Sequence, residues 1–518
     1  MNSDLNMELQ QIMGQMSLED KVAQLFTFSA LAARLDDASK RLITELKVGG
    51  IFLGTGCLQQ PKQVYELTTA MQQASISEGS GIPLFISADF VAGAGCKLQS
   101  GAVHFPKNRA IGAADDERLA CESGRVTALE SLAMGVNFNY SPVVDINNNP
   151  LNPVIGTHSF GEDRETVSRL GCAVIKGYQE HGMIATAKHF PGHGDTHVDS
   201  HEDLPVLPFS RERLESFELV PFRRAIEQGV DAVMVGHIAV PALDPSNMPA
   251  SLSYELTTKL LREQLNFQGL IVTDGLTMKG ITNQFTLEEA CIRALLAGAD
   301  ILLGTAESYE HAASMLQAVT NAVEQGRIPV SRIEESVKRV LMMKQKYRLM
   351  PELYRPSGYR EDVFQTAAAE QVSEELAAKA ATPLNGMDRG KLKAIGKPES
   401  WLLIRDAHAT RFAEHLRKEL LSITERTADH YEKVLELLDS EPSDQGVILA
   451  ISHNKPIDPS WLKLLNDRLS RSKHAVWVHF GSEYDVRQAS VPCLLMYDRS
   501  PSLQHQAAHY LCAGNTSQ

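Results

Sequence analysis

The sequence predicts an α/β protein: a (β/α)8 barrel followed by a smaller C-terminal αβα layer domain. Three observations predict it. Short apolar runs alternate with amphipathic stretches, the pattern of parallel βα units. Nearly every run closes on a polar or ionisable residue, among them Asp89, Asp145, His189, His237 and Asp274. The alternation breaks near residue 350 and resumes at 399, dividing a 518-residue chain that is too long for one ordinary core.

The first element, "SLEDKVAQLFTF" (17–28), reads as an amphipathic helix, with Ser17 and Asp20 suggesting a capping box. Strand candidates follow: "GGIFLG" (49–54), "PLFISAD" (83–89), "NFNYSPVVD" (137–145), "MIATAKHF" (183–190), "AVMVGHI" (232–238), "GLIVTDG" (269–275) and "DILLG" (300–304). Ligands sit at strand C-termini in barrels and in doubly wound sheets alike, so that feature does not choose between them. Seven runs within about 300 residues favour the barrel. An eighth strand is not evident. The predicted organisation is a barrel over 1–350, a linker over 351–398, and a small α/β domain over 399–518. In the last, "WLLIRD" (401–406), "GVILAIS" (446–452), "HAVWVHFG" (474–481) and "VPCLLMYD" (491–498) predict four parallel strands. No phosphate-binding glycine fingerprint occurs there.

Composition narrows the function. The chain is 43% hydrophobic and 22% charged, with net charge −14. That balance, with no basic block, argues against nucleic acid, whose phosphates need clustered Lys and Arg. No apolar run reaches the roughly 18 residues of a membrane span. The N-terminal stretch lacks an apolar signal core. Seven scattered cysteines without a C-x-x-C pair fit reduced thiols, and the expected location is the cytoplasm.

The stretch "HFPGHGDTHVDSH" (189–201) holds four histidines. His193, His197 and His201 would line one face of a helix and suit a metal. Gly192, Gly194 and Pro191 mark a loop instead, and without a helix the spacing loses its meaning. No metal or other cofactor is expected. Asp199 and His201, two apart, fall on one side of an extended loop. A carboxylate beside an imidazole fixes its tautomer and makes a general acid/base near neutral pH. Alone, such a triplet is more often a polar surface loop.

Three blocks in order, "SPVVDINNNPLNPVIGTHSFGED" (141–163), "KHFPGHGDTHVDSH" (188–201) and "GLIVTDGLTMKG" (269–280), resemble signatures of the N-acetylglucosaminidase branch of glycoside hydrolase family 3. "VMVGHIAVPALDPSNMPASLS" (233–253) fits between the last two. The resemblance covers roughly residues 15–350. It implies a retaining glycosidase with Asp274 as nucleophile, His201 as proton donor and Asp199 orienting it. In such a mechanism the two catalytic groups lie about 5–5.5 Å apart. Asp89, Lys188 and His189 match residues that bind sugar hydroxyls, while His193 and His197 are expected to be hydrogen-bonded loop residues. Three positions depart from the family pattern. Val91 replaces an acid, and Lys97 and His158 replace arginines, changes that put the exact sugar in question.

The implied activity is an exo-acting β-N-acetylhexosaminidase on a small carbohydrate, as in peptidoglycan recycling or chitin oligosaccharide breakdown. Alternatives are a family 3 glycosidase or phosphorylase retuned to another or modified sugar, and a non-catalytic sugar-binding barrel. Oligomeric state is left open.

Overall fold

The computed structural model describes residues 2–512 except 306–307, 395–399, 421, 441–444, 453–456 and 473. Among the described residues, eight parallel strands form the first sheet. They are β1 (Phe26–Ala30), β2 (Gly50–Leu53), β3 (Phe85–Ala88), β4 (Phe138–Asn139), β5 (Ile184–Phe190), β6 (Ala232–Val235), β7 (Leu270–Thr273) and β8 (Leu302–Gly304). The order β7-β6-β5-β4-β3-β2-β1-β8 closes into a barrel through the Val272–Ile301 bridge.

The eighth strand is β1, and it corrects the expected helix over 17–28. The helix spans only Leu18–Ala23, with the Ser17 hydroxyl accepting the Asp20 N–H at 3.1 Å. Phe26, Thr27 and Phe28 then extend between β2 and β8. Aromatic and β-branched residues favour an extended, packed backbone. Phe26 and Phe28 are fully buried, each contributing roughly 1.5–3 kcal/mol of transfer free energy.

At the N-terminal end of the barrel, Asp300 is fully buried just before β8. Arg262 meets its carboxylate at 2.6 Å, Arg339 at 3.1 Å and Arg332 at 3.4 Å. The Ser336 hydroxyl and the Ile271 N–H donate to it as well, at 2.6 and 3.1 Å. Burial opposes ionisation there, and the three guanidiniums hold the carboxyl below its usual range.

Among the described residues the second sheet has six strands where the sequence predicts four. They are β9 (Thr382–Leu384), β10 (Trp401–Arg405), β11 (Ile423–Thr427), β12 (Gly446–Ile451), β13 (Ala475–His479) and β14 (Cys493–Leu495), in the order β11-β10-β12-β13-β14-β9. β9 alone runs antiparallel, against β14. The stretch 351–398 is therefore more than a linker. It contains the helix Ala367–Ala380, whose Ala377 and Ala380 are buried in the core of the second sheet, and it contains β9. Residues 395–398 of it lie outside the described residues. β11 escapes the pattern search because "ITERT" is polar, as suits a half-exposed edge strand.

The second lobe packs on the barrel near its C-terminal end. Arg109 grips Glu483 at 2.6 Å, the Tyr484 hydroxyl donates to the Asn147 carbonyl at 2.9 Å, and Arg487 pairs with Glu162 at 3.0 Å.

Candidate active site

The strand C-termini converge on a polar floor. Asp89 follows β3, and Lys188, on β5, donates to its Oδ1 at 2.6 Å. Lys97 stands 4.0 Å from Oδ2. Burial opposes ionisation of Asp89, but the two ammoniums hold its carboxyl below the ordinary range. His158 faces the same group. Burial, reinforced by Lys107, pushes its imidazole down to about 3, despite Asp89, so it is uncharged at neutral pH. Val91 is only partly buried and brings no charge.

Asp145, beyond β4, is the hub of the floor and was not among the expected site residues. Fully buried, it accepts His189 Nδ1–H at 2.8 Å, the His193 backbone N–H at 2.8 Å, and the His189 backbone N–H at 3.1 and 3.2 Å. Burial raises its affinity for a proton, and His189, with these donors, lowers it further than burial raises it. His189 is thereby fixed through Nδ1, leaving Nε2 for a ligand. The sequence signal was present, since Asp145 closes a strand run, but a positioning role depends on partners 44 and 48 residues away.

Asp274 follows β7. Its N–H donates to the Val235 carbonyl at 3.0 Å, and the Gly275 N–H donates to its Oδ1 at 2.8 Å. Burial opposes ionisation, and His189, His237, the Gly275 N–H and Lys188 together hold its carboxyl below the usual range. His237 was also not expected in the site. Its Nε2–H donates to the Gly275 carbonyl at 2.9 Å, and its Nδ1 accepts from the Ser251 hydroxyl at 2.8 Å. A carbonyl cannot donate, so the tautomer is fixed. Burial keeps this imidazole neutral.

The histidine stretch forms a loop, and its three evenly spaced histidines take different partners. His193 is buried, with Nδ1 at 2.7 Å from Thr196 Oγ1 and Nε2 at 3.3 Å from Ser200 Oγ. Thr196 spends its own proton on the His193 carbonyl at 3.1 Å, so His193 Nδ1 is the donor and Nε2 accepts from Ser200. His197 Nδ1 meets Asn149 at 3.3 Å. His201 Nδ1 meets Asp199 Oδ1 at 2.8 Å, and its backbone N–H donates to the same oxygen at 2.9 Å. Among the described residues no cluster of His, Cys, Asp or Glu has the arrangement of a metal site.

Asn152 secures this loop by donating to the His193 carbonyl at 2.8 Å and the Gly194 carbonyl at 3.1 Å. The run "INNNPLN" is its sequence trace. The His201 side chain is 65% exposed at the rim, while Asp274 lies in the floor. The Gly280 N–H donates to the Ser200 carbonyl at 3.1 Å, joining the rim loop to the segment that follows Asp274. Burial opposes ionisation of Asp199, and the His201 backbone and ring N–H groups hold its carboxyl below the ordinary range.

The chain resembles known proteins along most of its length. It is 35% identical over 326 residues to a beta-hexosaminidase A of Pseudoalteromonas piscicida, an alignment covering 59% of this chain and 54% of that protein. It is 32% identical over 342 residues to a beta-N-acetylglucosaminidase/beta-glucosidase of Cellulomonas fimi, covering 64% and 58%. The chain thus spans little more than half the length of these relatives. The structure of a glycoside hydrolase family 3 beta-N-acetylglucosaminidase from Paenibacillus sp. str. FPU-7 superposes with a TM-score of 0.87 at 32% identity, covering 96% of this chain and 97% of that one. Residues 17–343 match the model of the glycosyl hydrolase family 3 N-terminal domain. By barrel, strand-end carboxylates and sequence, the chain belongs to glycosyl hydrolase family 3.

Proposed function

We propose that this chain is a retaining, exo-acting β-N-acetylhexosaminidase that releases terminal GlcNAc-type sugars. One observation carries the reading: a strand-end carboxylate held below its usual range, Asp274, lies beneath a loop in which Asp199 and His201 pair at 2.8 Å and whose Ser200 carbonyl accepts the Gly280 N–H of the Asp274 segment. The names of the relatives agree with it.

In the first step an Asp274 oxygen attacks the anomeric carbon as the bond to the leaving oxygen breaks. With His201 Nδ1 held by Asp199, Nε2 passes its proton to that oxygen. In the second step Nε2 takes a proton from water, whose oxygen displaces Asp274 and restores the carboxylate. Asp199 steadies the imidazolium that donates in the first step and forms again in the second. The rim loop must lie over the bound sugar for the acid to reach. Asp89, Lys97, His158, Lys188 and His189 supply contacts to sugar hydroxyls. Asp145 and His237 position His189 and the Asp274 segment. Peptidoglycan fragments or chitin oligosaccharides, met in the cytoplasm, are the expected substrates.

A second reading is favoured by Val91 and by the uncharged His158. The pocket then suits a glycoside other than plain GlcNAc, or phosphate replaces water as acceptor, since an imidazole repels phosphate less than a carboxylate does. Aryl glycosides differing only at C2 and C4, each with and without phosphate, test both. Fast hydrolysis of the GlcNAc glycoside supports the first reading. Preference for another sugar, or a sugar 1-phosphate product, supports the second. Turnover of none would overturn both.

A further inference from the structure

A cavity of about 240 Å³ lies between the barrel and the second lobe, outside the floor described above. The barrel contributes His104 and Lys107, and the second lobe contributes His408, Phe480, Asp498, Arg499 and Ser500.

Its polar groups are unevenly satisfied. The one carboxylate in the wall, Asp498, has both oxygens engaged by backbone: Oδ2 accepts the Lys107 N–H and Oδ1 the Ser500 N–H, each at 2.6 Å. The Lys107 ammonium has only a long contact, 3.5 Å to Thr157 Oγ1, and no carboxylate within 4.0 Å among the described residues. Arg499 stands 3.9 Å from Asp406, whose oxygens accept the His408 and Ala409 N–H groups and the Ser452 hydroxyl. The Ser500 hydroxyl, in a residue only 1% exposed, has no hydrogen-bond partner among the described residues. A buried hydroxyl without a protein partner is costly, so such a group calls for a water, an ion or a ligand.

Besides Lys107, four residues with donor side chains line this space from both lobes: His104, His408, Arg499 and Ser500. Together with Lys107 they match more oxygens than a carboxylate possesses. The volume exceeds what a single water needs. We propose that this cavity is an oxyanion site, taking a tetrahedral phosphate, free or as a phosphate monoester, between Lys107 of the barrel and Arg499 of the second lobe. The Ser500 hydroxyl and an imidazole N–H complete its donors. Burial pulls the Lys107 ammonium down, Asp498 offsets this in part, and Arg499 adds to it; a bound dianion restores the balance. Because the two cations belong to different lobes, the anion joins them. The proposal does not depend on which sugar the barrel turns over.

Calorimetric titration of the full chain with inorganic phosphate, at constant ionic strength in chloride, tests it. A second arm uses glucose 6-phosphate. Saturable one-to-one binding with Kd of about 1 mM or tighter is expected. Arg499→Gln should weaken it about tenfold, and Ser500→Ala several-fold, since charge-assisted donors dominate such contacts. Arg499 is partly exposed, so its variant is expected to keep the wild-type circular dichroism. Tungstate soaked into crystals should give its anomalous peak between Lys107 and Arg499. Tighter binding of the ester would identify a monoester as the ligand, and equal or weaker binding would identify free phosphate. No saturation below about 20 mM, unchanged affinity in Arg499→Gln, or a tungstate peak only elsewhere would overturn the site.

Discussion

Asp300 and Asp274 are both strand-end aspartates held in ionised form, at opposite ends of one barrel. Asp300 is saturated: three arginines, a hydroxyl and a backbone N–H cover its two oxygens. Asp274 takes one short hydrogen bond, from its neighbour Gly275, and owes the rest of its low proton affinity to rings and an ammonium farther off. The first arrangement leaves no lone pair for a ligand. The second keeps an oxygen in reserve. Equal charge thus serves different ends: Asp300 is fully buried and Asp274 only partly so, and the count of local donors distinguishes them.

Substitution should separate the two sharply. Asp274→Asn should lower turnover by about 10⁴-fold or more, because an amide does not form the glycosyl ester, while the thermal midpoint changes little. A fluorosugar inactivator should label Asp274 in the wild type. Label on another carboxylate would remove the distinction. Asp300→Ala should do the reverse. It removes the buried carboxylate that three guanidiniums share and should cost about 3–5 kcal/mol in denaturant unfolding, with kcat of the folded fraction near wild type.

The rim tests how far the contrast extends. His201→Ala should slow glycosides with poor leaving groups by about 10²–10³-fold and activated aryl glycosides far less. At 65% exposure its loss should barely move the unfolding midpoint. Equal slowing of both substrate classes, under conditions limited by glycosylation, would take His201 out of the proton-donor role.

A further effect concerns pH. Histidines 158, 193 and 237 are all held below their ordinary range, chiefly by burial. The unfolded chain binds a proton at each near pH 6.5, whereas folded His158 does so only near 3. Their contribution is therefore complete above about pH 6.5 and declines as pH falls, by at most about 1.4 kcal/mol per pH unit for each. His158→Gln should flatten the stability profile between pH 6.5 and about 4. An unchanged slope would mean that His158 is protonated in the folded barrel.

Much of this was legible in the chain. Seven barrel strands announce themselves as apolar runs, five of them ending in Asp or His, and β1 does not, because its Phe-Thr-Phe core continues a helix-like pattern from Val22. The Asp199–His201 pair is local in sequence, so spacing suffices to find it. Asp145 and His237 were visible only as strand ends, since their roles rest on His189, His193 and Gly275, which the fold brings near. Lys107, Arg499 and Ser500 give no pattern at all, because their cavity exists only where two lobes meet.

The antiparallel β9 has a consequence for dividing the protein. It is drawn from the stretch just ahead of the second lobe, and it caps the open side of β14. A fragment beginning at residue 399 would lose that cover and present the β14 backbone, flanked by apolar Leu494 and Leu495, as a free pairing surface. Bare edges of this kind recruit other chains. A cut placed before Thr366 keeps the helix Ala367–Ala380 and β9 with the sheet they complete, and should yield a monodisperse fragment where the later cut yields aggregates.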